Sequence, residues 1–219
     1  MVRKGVGELK YIIRWLTYVI GIIIFSLGIT ITITVQHLGL HPWDVLNVAF
    51  YEKFGLTIGT WQIIISFVLI VISWILDKSY VKLGTFLNAI LIGLFVDFYM
   101  WLGFLPEPSY AWPDAVTMTI GIIIMGFGGG LYNAAGVGSG PRDGFMLSIA
   151  EKIGASIGKV RIIIETIVLV IGLLLRGPVH VVTFIFTFIQ SPIFQFTYER
   201  FRKLVTRLEA RYDKKRIAS

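Results

Sequence analysis

Two short stretches carry residue types whose spacing could do chemistry: Pro42-Trp43-Asp44 and Gly140-Pro141-Arg142-Asp143-Gly144. Each sets a proline, then an aromatic ring or a guanidinium, then a carboxylate at the start of a short helical pattern. Proline suits the first helical turn, where its missing N–H costs nothing. The N–H groups behind it have no intrahelical acceptor, and the aligned peptide dipoles give that end about half a positive charge. Such an end binds a carboxylate or a polar solute. Gly39, Gly138 and Gly140 let the backbone turn sharply beside it. If the two ends converge, Trp43 offers an aromatic face and Arg142 a fixed positive charge, a pairing suited to an anionic or amphipathic solute. The alternative keeps both short helices at opposite membrane surfaces as connectors, with Asp44 and Asp143 merely favouring the positive ends.

Other polar residues lie in apolar surroundings. Arg161 and Glu165, at i and i+4, share one helix face, and a pair this deep ordinarily faces a bundle interior. It reads as structural, with a proton- or substrate-linked role for Glu165 as the other choice. Asn88 can hydrogen-bond between helices, and Asp97, near a span's end, can reach water. His37, His41 and His180 show no metal spacing, and Cys is absent, so neither a metal site nor a thiol nucleophile is expected. There is no nucleophile elbow and no phosphate-binding loop. We expect no catalytic residues, no cofactor and no enzyme activity.

The elements that must position these groups come in two copies. With an offset of 99, Gly39 meets Gly138, Pro42 meets Pro141, Asp44 meets Asp143 and Gly55 meets Gly154. Gly21 and Gly28 recur at Gly121 and Gly128 with an offset of 100, and Thr85 recurs at Thr183 with an offset of 98. Matched Gly, Pro and Asp are not cheap in a greasy chain, so the sequence reads as an internal duplication. Apolar residues make up 56% of 219 positions and charged residues 15%, against about 45–50% and 25% in globular domains. Several runs reach the roughly 20 residues that cross a hydrocarbon core.

The expectation is an all-α polytopic bundle of six spanning helices with two half-helices. Residues 1–10 form a basic N-terminus. Residues 11–104 form repeat one, with a half-helix at 42–54; residues 105–114 form an external linker. Residues 115–197 form repeat two, with a half-helix at 141–153 and a last span interrupted by Pro192; 198–219 form a basic tail. The first apolar run is too long for a signal peptide and is expected to remain as a span. Each half-helix reaches only about 20 Å, so each repeat crosses three times and the second copy is inverted. Of the 20 basic residues, all but Lys53 and Arg176 then fall on the side of the N-terminus, as the positive-inside rule requires. In the tail, Phe201, Leu204, Val205 and Leu208 recur at helical spacing among Arg and Lys. They suggest a helix on the anionic inner leaflet, which accounts for the net charge of +7 without nucleic acid.

These residues resemble the YczE/YyaS/YitT group of bacterial multi-spanning membrane proteins, and most closely its YczE branch. The resemblance rests on Gly39-x-x-Pro42-Trp43-Asp44-Val45-Leu46, Gly55-Leu56-Thr57-Ile58-Gly59-Thr60-Trp61 and Asn88. It continues through Gly138-x-Gly140-Pro141-Arg142-Asp143-Gly144 and Val160-Arg161-x-x-x-Glu165. It spans nearly the whole chain, departing at Ser191-Pro192, where the family tends to show Gly-Pro. It implies a plasma-membrane protein and supplies no substrate.

The leading expectation is a permease for a small solute, an anionic one among the candidates, held between the half-helix ends near the midplane. Asp44, Asp143 and Glu165 are candidates for binding a proton or coupling ion. Its partners would be the bilayer, the solute and anionic lipid at the tail, with both termini cytoplasmic; an oligomer is left open. The alternative is a non-transporting membrane partner that helps assemble an enzyme complex through the basic tail.

Overall fold

The computed structural model describes residues 2–155 and 157–217, the side chains of residues 2–9, 157, 158, 187 and 208–217 excepted. Its regular structure is helical: α1 (Val2–Thr34), α2 (Pro42–Phe54), α3 (Ile58–Leu76), α4 (Leu83–Leu102), α5 (Trp112–Ala134), α6 (Pro141–Ile153), α7 (Ile157–Leu174) and α8 (Val181–Ile217). Among the described residues five of them, α1, α3, α4, α5 and α8, are long and apolar enough to cross a membrane. α7 is 18 residues long and carries Lys159, Arg161 and Glu165. The short helices α2 and α6 have 13 residues each, about 20 Å at 1.5 Å per residue. Each starts on its proline and stops at a glycine with positive φ, +76° at Gly55 and +65° at Gly154, a conformation that suits glycine best.

Large apolar side chains face outward: Ile75, Ile162, Leu174 and Phe188 are each more than two-thirds exposed. A surface of this kind needs lipid to cover it. Trp101, Tyr110 and Trp112 are exposed where α4 gives way to α5, and Lys78 lies 4.6 Å from the Trp74 ring at the opposite end of α3. Aromatic rings at both ends of the spans mark the two bilayer surfaces. The protein is a polytopic helical membrane bundle.

α5 lies at its centre, between α1 and α8, and its glycines make this contact close. A Cβ on Gly128 would collide with the backbone of Phe25 in α1, and one on Gly130 would lie 2.6 Å from the Phe194 oxygen in α8. Small residues thus serve two faces of one helix. The contacts come in matched pairs. Gly28 lies against Met125 and Gly121, and Gly128 against Phe25 and Gly21. Gly21 faces Tyr132 and Gly121 faces Thr32; Gly39 packs on Thr183 and Gly138 on Thr85.

α8 departs from the sequence expectation. Pro192 lies inside it without ending it, and the basic segment from Tyr198 continues the same helix. In hydrocarbon the remaining backbone groups still need intrahelical partners, so losing one N–H does not repay opening the chain. The apolar positions of the segment are also partly engaged by protein. Phe201 meets Phe127 of α5 edge to face, 5.6 Å between centroids, and Val205 is buried. Leu204 remains exposed, and the Leu208 side chain lies outside the described residues.

Gly128→Ala should lower stability by about 1–3 kcal/mol, the cost of overpacking a tight contact. Ile123→Ala, on the outward face of the same helix, should stay within about 0.5 kcal/mol. Thermal unfolding of the two variants in one detergent checks this, and equal loss would refute the packing account.

Candidate functional site

The first turns of α2 and α6 meet. Arg142 Nη2 donates to Asp44 Oδ1 at 3.1 Å, and the guanidinium carbon lies 5.4 Å from the centre of the Trp43 ring. Neither short helix has a side-chain cap, since His41 and Gly140 occupy the cap positions. Their N-terminal ends are left to a carboxylate on the third residue, Asp44 or Asp143, which the positive dipole favours. Gln62 of α3 accepts from Arg142 as well, and its Oε1 also takes the Asn47 amide at 2.6 Å. Its own amide continues to Ser66 Oγ at 3.2 Å. From α7, Arg161 Nη2 donates to Asp143 Oδ1 at 2.9 Å. Glu165 Oε1, one turn further along, lies 3.9 Å from His41 Nε2.

These groups border a cavity of about 320 Å³, at the small end of ligand pockets. Trp43, Asn88, Gly140, Pro141, Arg142, Asp143, Arg161 and Glu165 all line it. Asp44 is fully buried behind Arg142. Gly140 keeps a crowded corner open. A Cβ there would lie 3.3 Å from the Tyr132 hydroxyl oxygen, 3.4 Å from Asn88 Oδ1 and 3.7 Å from Asp143 Oδ2. Several buried polar atoms around the cavity have no hydrogen-bond partner, among them His41 Nδ1, Trp43 Nε1, Asp44 Oδ2, Asn88 Nδ2 and Arg161 Nε. An unpaired buried polar atom is costly, so such a cluster points to water or solute inside.

A second cavity of about 450 Å³ adjoins the first and shares Asp143, Met146, Arg161, Phe194 and Tyr198 with it. Its far wall carries Ser79, Tyr80 and Lys82 from the α3–α4 connection, together with Gly138 and Ser139. The two ion pairs therefore differ in access. The Arg161 and Asp143 side chains are 41% and 30% exposed, those of Arg142 and Asp44 16% and 1%. The second cavity is a vestibule that reaches Asp143 and stops short of Asp44.

Several sequence expectations change here. Arg142 is no free positive charge awaiting an anion, because Asp44 already neutralises it. Asp97 stands apart from the cavity. It accepts from the Gly59 N–H at 2.8 Å and from the Thr57 hydroxyl, so it caps α3, brought there by the close Gly59–Gly93 crossing of α3 and α4. The ion pair of Arg161 joins it to Asp143 on another helix, while Glu165 approaches His41. Gly39, Pro42 and Gly144 shape the turns and first turns without lining the central cavity.

The sequence reading passed over Gln62, Tyr132, Gln190 and Tyr198 and gave His41, Ser191 and Gln195 no place at a solute site, yet all seven line the cavity. A signal existed for Gln62: the offset of 99 that pairs Asp44 with Asp143 also pairs Gln62 with Arg161. Among the α8 residues the repeat marks Gln195, which takes the place of Asp97 at an offset of 98; Gln190, Ser191 and Tyr198 carry no charge and match no polar residue of the first repeat.

Residues 12–199 match a family of unknown function (DUF6198). The uncharacterized membrane protein YczE of Bacillus subtilis is 32% identical over 202 residues, covering 92% of this chain and 93% of its own length. The uncharacterized protein YyaS of the same organism is 30% identical over 173 residues, covering 78% of this chain and 85% of its own. An uncharacterized protein of Haemophilus influenzae is 33% identical over 193 residues, covering 86% and 85%. No solved structure matches the chain. With a helical membrane bundle, a family model matched over most of its length and relatives aligned nearly end to end, the chain belongs to the YczE/YyaS family of bacterial membrane proteins.

Proposed function

We propose that this protein is a permease for a small solute, bound in the central cavity between the first turns of α2 and α6. The observation that carries the reading is the meeting of those two ends: Asp44 and Arg142, from opposite halves of the chain, bond at the cavity wall. Discontinuous helices whose N-terminal ends face a central site are a recurring transporter device. The proposal involves binding and movement and no covalent chemistry.

The matched contacts support an inverted duplication. In an isologous arrangement, residue i meets j′ wherever j meets i′. Gly28 on Gly121 with Gly128 on Gly21, and Gly39 on Thr183 with Gly138 on Thr85, have this form. Trp43 and Arg142, aligned by the repeat, touch one another, as counterparts beside a two-fold axis do. In this reading α7 is the sixth span, both short helices stay inside the bilayer, and rocking one half against the other alternates access. The vestibule beside Tyr80 and Lys82 is the cytoplasmic opening, since the basic residues cluster on that side. The protein lies in the plasma membrane with both termini in the cytoplasm.

Uptake into proteoliposomes tests transport. Arg142→Ala alone strands the buried Asp44, a loss of about 3–5 kcal/mol, and would confuse misfolding with lost binding. The Asp44→Asn, Arg142→Gln double variant removes both charges while keeping hydrogen-bonding groups in place. It should fold and lose uptake at least about tenfold, equivalent to 1.4 kcal/mol. Unchanged uptake of every transported solute would refute this site. Failure on deleting residues 200–219, with the double variant fully active, would favour an assembly role for the tail.

Orientation has a separate test, made direct by the absence of native cysteine. Glu107→Cys should react with an impermeant maleimide on intact cells, and Lys78→Cys only after permeabilisation. The reverse pattern would overturn the assigned sidedness.

A further inference from the structure

The helices form an incomplete ring around the central cavity. Every helix from α1 to α8 contributes to its wall. Going round, α8 packs on α5, α5 on α1, α1 on α4, α4 on α3, α3 on α2 and α2 on α7. Between α7 and α8 there is no comparable packing among the described residues, although Arg161 of α7 and Ser191 of α8 line the same cavity. The wall is open there. Its rims are apolar: Ile162, next to Arg161, and Phe188, three residues before Ser191, are both more than two-thirds exposed.

The first half of the chain closes the matching seam. There α3 and α4 cross with Gly59 against Gly93, so near that a Cβ on either would collide with the other helix. The offset of 98 that pairs Thr85 with Thr183 puts Ser191 in the place of Gly93. A side chain thus stands where the tight crossing needs none, and it lines the cavity instead. On the inner side of the seam α8 offers Gln190, Ser191 and Gln195, whose amides and hydroxyl both donate and accept. Among the charged groups that line the cavity, Arg142 and Arg161 balance Asp143 and Glu165, so the wall draws no net ion. A solute lying across the seam keeps its polar end in the cavity. Its apolar end gains by never leaving hydrocarbon.

We propose that the solute is a single-chain amphiphile with an uncharged, hydroxylated head, which enters sideways from the bilayer between α7 and α8. The head sits against Gln190, Ser191 and Gln195, and the chain lies along Ile162 and Phe188. This rests on the cavity being the solute site of a permease, and it adds the class of solute and its route of entry.

Labelling of the full chain in neutral-lipid nanodiscs tests it, since there is no native cysteine. Ser191→Cys should react with N-dodecylmaleimide dissolved in the bilayer, and Ser26→Cys, fully buried between α1 and α4, should not. Monodecanoylglycerol should slow the Ser191→Cys reaction saturably, by about fivefold or more, the scale of one hydrogen bond between neutral groups. Glycerol, which has no chain, and methyl decanoate, which has no hydroxyl, should leave the rate unchanged. If Ser191→Cys is not monodisperse, Gln195→Cys takes its place. Equal labelling at the two positions would overturn the proposal, as would no slowing by monodecanoylglycerol or equal slowing by either control. Disulfide-linked dimers of Phe188→Cys would overturn it too, by showing that a second copy fills the gap. The uptake assay separates the two ideas. Protection by monodecanoylglycerol without its transport leaves the side entrance and removes the permease; uptake of water-soluble solutes alone, with Ser191→Cys beyond the reagent's reach, does the opposite.

Discussion

The bond between Asp44 and Arg142 is the constraint on which the rest depends. Buried in the protein neither charge is stable alone, and each would otherwise lie beside a helix end whose N–H groups already need acceptors. Asp44 stabilises the positive end of α2 while neutralising the guanidinium that α6 brings from the other half of the chain. Asp143 plays the same part for α6 and turns to Arg161 for its cation. Gln62 then has to stand where Arg142 needs its second acceptor. The charged groups of the polar centre are linked, so that removing one leaves another buried and unpaired.

That centre requires a rigid frame with a hole in it. Glycines on α1 and α5 let the two backbones touch, and further glycines on α5 bring α8 close on the other side. Packing of this kind replaces the hydrophobic drive that lipid does not supply. In the proposed reading the hole follows from length: a helix of 13 residues reaches about two-thirds of the way across a core of roughly 30 Å. The remaining space is lined by whatever faces it from the long helices, here Asn88, Tyr132 and the polar residues of α8.

The two ion pairs are chemically alike but stand in different surroundings. One is sealed under the Trp43 ring, and the other opens to a vestibule. Two halves with matched contacts and unequal access are what an alternating-access device presents when caught on one side, and this is why transport is the function we favour over a passive scaffold. The tail belongs to the same argument, since α8 runs unbroken from the cavity wall into the basic segment.

Local backbone chemistry is written in the sequence, and it was legible. Pro42 and Pro141 start the short helices and Gly55 and Gly154 stop them, because a missing N–H and a tolerance for positive φ act on the residue itself. The duplicated Gly21, Gly28, Gly121 and Gly128 marked the repeat, and the structure puts all four in the close contact of α1 with α5. Side-chain partners were not legible. Arg161 and Glu165 share a face by spacing, yet the ion pair of Arg161 is with Asp143; Asp97, placed near a span's end within reach of water, caps α3; Gln62, which nothing in the sequence singled out, holds Arg142. Partner choice depends on which helices become neighbours and at what height, and an offset along the chain carries neither. The tertiary structure alone decided that Arg142 meets a carboxylate before it can meet a solute.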